Sequence, residues 1–198
     1  MYPSSIKKVI ESLKDLPGIG EKSAERLAFT MINFSEEKLQ DFADAILEIK
    51  EKIHRCPICN NITDEEICTI CSNQNKKDNI IFVVEKPKDI ILFEKLNIYN
   101  GKYHVIDGLI SPLEGIGPDD INIDSLINRI KNCKVDEIIL ALKPTIEGET
   151  TMQYIKKVLE NYNVKVSKIA TGIPIGTEIE YIDTMTLELA FEERKDIS

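Results

Sequence analysis

Four cysteines between residues 56 and 71 carry the chain's clearest chemistry. Cys56-Pro57-Ile58-Cys59 and Cys68-Thr69-Ile70-Cys71 are two CxxC knuckles separated by eight residues. Each knuckle can present two thiolates to one tetrahedral Zn²⁺ at about 2.3 Å, and four thiolates close the coordination sphere with no position left for water. The pattern predicts one structural zinc per chain, held by Cys56, Cys59, Cys68 and Cys71. The spacer is shorter than that of common zinc ribbons, so a compact finger is expected over residues 55–73. Structural disulfides, which fit poorly with the reducing compartment inferred below, and a redox CxxC pair are the alternatives. His54 stands two residues before Cys56, but four cysteines already complete the set, and Cys133 reads as an ordinary thiol at a helix end.

A second constellation is Leu16-Pro17-Gly18-Ile19-Gly20, followed by Lys22 and Arg26. Gly18 and Gly20 allow backbone N–H groups to approach a phosphate closely, and the N-terminus of the following helix adds the positive end of its dipole. Lys22 and Arg26 are four residues apart, so both lie on one helix face and can meet neighbouring phosphates without reading sequence. Gly18, Gly20, Lys22 and Arg26 are therefore the candidate DNA-binding residues. The competing reading is an ordinary αα-hairpin with a solvated basic face. A nucleotide-binding P-loop is excluded, because Walker A needs Gly-Lys-Ser/Thr adjacent and Glu21 separates Gly20 from Lys22.

Acidic residues form the third group. Glu85 closes the apolar run 80–84, and Glu147-Gly148-Glu149 follows the run 137–142. In an open α/β sheet, ligands bind at the carboxyl ends of strands, so these carboxylates can face one crevice and hold Mg²⁺. Solvated loop acids are the alternative in a chain with 34 Asp and Glu.

The elements that must position these groups follow from periodicity. Ile6, Val9, Ile10 and Leu13 form an amphipathic helical stripe, a glycine-punctuated turn ends it, and Ala24, Leu27, Ala28 and Met31 restart the same period. A third helix is expected with Ser35 as N-cap and Leu39, Phe42, Ala43, Ile46 and Ile53 along one face. Beyond Asn79, β-rich runs at 80–84, 103–106, 137–142 and 164–169 alternate with helical segments near 90–96, 123–132 and 151–162. That alternation predicts an α/β domain with a mostly parallel sheet covered on both faces. The Gly- and Pro-containing stretch 108–120 is long enough to be a functional or partner-facing loop.

The 198 residues are 42% hydrophobic and 30% charged, which suits one good core with a small satellite and excludes a disordered tail protein. No apolar run approaches the roughly 20 residues of a membrane span, and the N-terminus lacks a signal-peptide pattern, so a cytoplasmic protein with reduced cysteines is expected. The formal charge of −9 argues against a uniformly basic nucleic-acid binder. Salt screens distant charges, so the local patch decides, and residues 1–30, with Lys7, Lys8, Lys14, Lys22 and Arg26, are the least acidic stretch.

Taken in order along essentially the whole chain, these motifs resemble the bacterial RecR family of recombination mediators. The likeness covers the 16–20 hairpin with Lys22-Ser23-Ala24 and Arg26, the four cysteines, Val83-Val84-Glu85 and Tyr103-His104-Val105. It continues through residues 109–118, Pro144-Thr145-Ile146-Glu147-Gly148-Glu149 and Ile173-Pro174-Ile175-Gly176 to residues 181–187. The resemblance implies a helix-hairpin-helix DNA-binding region over 1–54, a four-cysteine zinc finger over 55–73, a Toprim (Rossmann-like) domain over 78–175 and a C-terminal oligomerisation segment over 176–198. It further implies a homo-oligomeric ring, a tetramer, that encircles DNA in the bacterial cytoplasm at the nucleoid. RecO-like and RecF-like partners would act with it in DNA repair to load RecA at single-stranded gaps, and no enzymatic activity is implied.

Toprim enzymes carry an Asp-x-Asp pair just before Glu-Gly-Glu, whereas the matching positions here read Lys143-Pro144-Thr145. Both metal-binding carboxylates are missing, and a lysine repels Mg²⁺. Glu85, Lys143, Glu147 and Glu149 become candidates for partner binding instead. The family usually has Asn where Lys143 stands, Arg where Lys168 stands and Gly where Thr177 stands. A Mg²⁺-dependent Toprim nuclease or primase, and a zinc-stabilised scaffold that binds only proteins, are the competing functions.

Overall fold

Pro17 and Gly18 end the first helical stripe by making a tight turn. Ile19 N donates to Leu16 O at 3.1 Å, and Gly18 takes φ +83°, the left-handed value that the second central position of a type II turn requires. Helices α1 (Ser4–Lys14) and α2 (Glu21–Met31) flank this turn and bury Ile10 against Ala24 and Ala28. The small alanines let the two helices approach closely. A third helix, α3 (Glu36–Lys52), is capped as expected: Ser35 Oγ accepts from Lys38 N at 3.2 Å. None of its residues is buried, so Leu39, Phe42 and Ile46 present an uncovered apolar face.

These helices make up one compact unit, Met1–Ile53, and the rest of the chain, His54–Ser198, a second. The computed structural model describes residues 2–170, 172–192 and 194. Parts of the expected 1–54, 78–175 and 176–198 segments therefore lie outside the described residues.

The second unit opens with a two-stranded antiparallel pair, β1 (His54–Arg55) and β2 (Ile62–Thr63), and a short helix α4 (Thr69–Ser72). A four-stranded sheet follows: β3 (Lys77–Val84), β4 (Gly101–Val105), β5 (Glu137–Ala141) and β6 (Lys165–Lys168), in the order β4-β3-β5-β6. Every neighbouring pair is parallel, as the alternation of strands with helices predicts. The crossovers are α5 (Pro87–Leu96), α6 (Ile123–Asn132) and α7 (Ile146–Leu159), and α8 (Thr184–Glu192) comes last. Side chains alternate across the central strands. Ile81, Val83, Ile138 and Leu140 pack with Leu126 of α6 and Ile155 of α7, while Phe82 and Val84 pack with Ile90 of α5. Both sheet faces are thus covered, and the α/β architecture is as expected.

Two boundaries differ instructively from the periodicity. Helix α7 starts at Ile146 rather than near residue 151, because Thr145 caps it, its Oγ1 accepting from Gly148 N at 3.2 Å. The 108–120 loop carries short structure of its own. Ser111 and Ile116 exchange backbone hydrogen bonds of 3.0 and 2.9 Å; the loop they close is a 3-10 turn carrying the exposed Leu113, and a second 3-10 turn follows. Among the described residues, no helix is long and apolar enough to cross a membrane.

His104 is fully buried in β4. Its Nε2 lies 3.2 Å from both Asn122 O and Ser125 Oγ, and its Nδ1 has no partner. Burial lowers its pKa to about 4, outweighing the bond to the Asn122 carbonyl that favours the charged ring, and Arg129 adds to the lowering. The unfolded chain's histidine takes up a proton near pH 6.5, whereas the buried ring holds off until about pH 4, so acid favours unfolding. This contribution is complete above about pH 6.5 and is lost as pH falls, by about 2 kcal/mol at pH 5. Denaturant unfolding at pH 7.5 and 5 should show a His104→Gln protein losing less stability on acidification than the parent by about that amount. Equal losses in the two proteins would contradict the assignment.

Candidate metal centre and nucleic-acid interface

Local turns build the metal centre. In the first knuckle Asn60 N donates to Cys56 O at 2.9 Å and Cys56 N to Asn61 O at 2.7 Å. Asn60 takes φ +60°, a conformation asparagine tolerates better than most residues. In the second knuckle Ser72 N donates to Cys68 O at 3.0 Å, closing the single turn of α4 that carries Cys71. The two knuckles bring Cys56, Cys59, Cys68 and Cys71 together so that all four Sγ atoms lie within 4.8 Å of one another. Three of the four residues are buried, and Cys59 is wholly inaccessible.

The donor set fits one structural zinc ion. Cys59 Sγ lies 3.5 Å from Cys68 Sγ, close enough for the two sulfurs to share a proton. The hydrogen bond from Cys59 holds Cys68 far below the ordinary thiol range, and the same bond pushes Cys59 far above it. One divalent cation replaces shared protons and satisfies four thiolates at once. His54 is not part of this group, and Cys133 sits exposed at the end of α6, both as expected.

The hairpin in the first unit places the candidate phosphate contacts on the surface. Gly20 is the N-cap of α2 and offers no side chain to cover the orphan N–H groups of the first turn. Its backbone is extended, with φ −86°, and an added Cβ would meet nothing within 4 Å, so the fold does not demand glycine there. Glycine leaves those donors open to a ligand. Lys22 and Arg26 are both on α2, with Lys22 exposed and Arg26 at the surface, and neither has a carboxylate partner among the described residues. Lys14, by contrast, is occupied: Glu11 and Glu21 hold its ammonium at 3.3 and 2.5 Å.

The acidic residues are not brought together as a metal site. Among the described residues, the four cysteines are the only group of three or more potential ligands close enough to share an ion. Glu85 is 6% exposed at the end of β3, and Lys143 Nζ sits 3.2 Å from its Oε1 and 3.1 Å from its Oε2. Lys86 Nζ adds a second cation at 3.5 Å. Glu147 and Glu149 lie in the first turn of α7 rather than in a loop, where the helix dipole favours carboxylates. The residue's own backbone N–H is the larger cause of a lowered Glu147 pKa, and the Thr145 hydroxyl adds to it. Glu149 faces Lys168 at 3.5 Å. A Cβ on Gly148 would collide with the carbonyl of Lys143, so the glycine between these acids is required by the close approach of α7 to the end of β5.

Sequence reasoning missed Lys102, which is 3% exposed on β4, and the burial of His104. Polar residues at these strand positions carry no burial signal of their own.

Comparisons with family models cover most of the chain in four segments. Family models match for the RecR helix-hairpin-helix over residues 6–50, the RecR four-cysteine zinc finger domain over 53–73, the Toprim domain over 79–170 and the RecR C-terminal region over 172–195. The chain is 47% identical over 194 residues to the "Recombination protein RecR" of Lactobacillus helveticus, and equally to that of Lactobacillus acidophilus, covering 98% of both chains in each case. It is 44% identical over 196 residues to the protein of the same name from Natranaerobius thermophilus, covering 99% of this chain and 98% of the relative. With every segment matched in order and near-complete coverage, the chain belongs to the RecR family of recombination proteins.

Proposed function

We propose that this chain is a non-catalytic DNA-binding clamp and recombination mediator in DNA repair. It would act with RecO-like and RecF-like proteins to promote RecA loading at single-stranded gaps. The observation that carries the reading is the uncapped N-terminus of α2 at Gly20, with the cations Lys22 and Arg26 one turn apart on the same helix and without carboxylate partners among the described residues. This arrangement binds phosphates of gapped, single-stranded or duplex DNA without reading bases.

Each subunit offers few basic contacts, so a homo-oligomeric ring, taken here as a tetramer, multiplies them through effective concentration. The uncovered apolar side chains of α3, with Met185 and Phe191 on α8, are the natural surfaces for subunit contacts. The functional division follows the helix-hairpin-helix at 1–54, the finger at 55–73, the Toprim domain at 78–175 and an oligomerisation segment at 176–198. Catalytic silence is supported by Glu85, which is paired with the cations Lys143 and Lys86. Glu85, Lys143, Glu147 and Glu149 form the partner-facing rim of the sheet, and the protein works in the bacterial cytoplasm at the nucleoid.

Fluorescence anisotropy with a labelled gapped duplex tests the reading. Binding should be clear at about 50 mM salt and weaken steeply by about 200 mM, as counterion release requires. No binding at low salt would favour a scaffold that contacts proteins alone.

A further inference from the structure

We propose that Lys102 is the charge-compensating and positioning residue of the zinc site, and that through it metal occupancy holds the edge strand β4 in place. Lys102 is buried, and its ammonium donates to three backbone carbonyls in and just after the second knuckle: Ile70 O at 3.0 Å, Cys71 O at 3.0 Å and Asn73 O at 2.7 Å. All three donors of the ammonium are therefore used; two of the acceptors belong to the turn that carries a metal ligand and the third, Asn73, is the C-cap just after it. The carboxylate oxygen paired with it, Asp78 Oδ1, is 3.5 Å away on a side chain that is 83% exposed, which screens its charge. A buried cation needs better compensation than that.

The metal centre supplies it. Zn²⁺ with four thiolates carries a formal charge of −2, and Cys71, one of the four ligands, lends its own carbonyl to this ammonium. The first knuckle is tied to the other end of the same strand. Val105 N donates to Cys59 O at 2.8 Å, and Asn60 Nδ2 donates to Val105 O at 3.1 Å. Both knuckles thus close on β4, Lys102 at one end and Val105 at the other, and the finger covers the edge that β4 would otherwise expose. Losing the metal frees α4, leaves the Lys102 ammonium buried without ordered acceptors and uncovers the strand. By linkage, whatever Lys102 adds to zinc affinity, zinc adds to the Lys102-bound arrangement of β4.

The test compares zinc affinity, measured by competition with a chromogenic chelator, and Tm with and without zinc. The full-length parent, Lys102→Met and Ile155→Val proteins are used. Lys102→Met is expected to weaken zinc binding by about tenfold or more, in line with other outer-sphere partners of metal ligands. It should also narrow the gap in Tm between the zinc-loaded and zinc-stripped states. Ile155→Val, a core change in α7, should lower Tm and leave zinc affinity unchanged. Amide hydrogen exchange on the parent protein decides the matter if Lys102→Met does not fold: zinc removal should strip protection from Val105 N–H before the amides of β5. Unchanged zinc affinity in folded Lys102→Met, or β4 protection that survives zinc removal, would overturn the proposal.

Discussion

Cys59→Ser protein is expected to emerge from dialysis with less than about a tenth of an equivalent of zinc, against about one per chain for the parent, and with its finger unfolded. Cys59 is wholly buried among the other three sulfurs, so its loss cannot be repaired by a neighbouring donor or by water. The finger has little else to hold it: its buried cluster consists of Cys56, Cys59 and Cys68, with Ile67, Ile70 and Cys71 partly buried around them. Metal binding must supply most of its folding free energy, on the order of 10 kcal/mol in small zinc domains. Elemental analysis checks the stoichiometry, and circular dichroism with thermal melting checks the fold. Near-full zinc in Cys59→Ser, or less than about half an equivalent in parent protein purified without chelator, contradicts the four-thiolate site.

Changing Lys22 and Arg26 together to alanine should reduce affinity for gapped DNA by about a hundredfold at low salt without altering the fold. Neither side chain has a carboxylate partner among the described residues, and neither belongs to the buried cluster between α1 and α2, so the packing of these helices does not depend on their charge. The salt dependence is the more specific readout. Each lost phosphate contact lowers the slope of log K against log salt by about one per engaged subunit, while the protein's preference among sequences stays flat. A variant with native circular dichroism, unchanged affinity and an unchanged slope would remove both residues from the interface.

How much of the molecule is legible in its sequence depends on how local each cause is. The zinc site follows from two short-range knuckles, and the hairpin turn from Pro17 and Gly18, whose backbone preferences act within four residues. The parallel sheet follows from apolar runs separated by helical periods, because crossover helices leave both faces of the strands buried. The start of α7 is masked because Glu147-Gly148-Glu149 has loop-like composition, although Thr145 is a helix cap in the right place. Glu85 and Lys143 are 58 residues apart and meet only because β3 and β5 are neighbours in register, so their ion pair has no signal in either segment. The burial of Lys102 has the same origin. It depends on a finger folding over a strand edge about thirty residues away in the chain.

One incubation tests the central claim most directly. Purified protein, labelled gapped duplex and Mg²⁺ are mixed at low salt, and the sample is split between a native and a denaturing gel. A shifted native band with full-length strands on the denaturing gel is the predicted result, because Lys143 occupies the space beside Glu85 where a nuclease would need a divalent ion. Shortened strands would mean that Glu85, Glu147 and Glu149 support phosphodiester chemistry without an aspartate pair, and the reading of this chain as a silent clamp would be wrong.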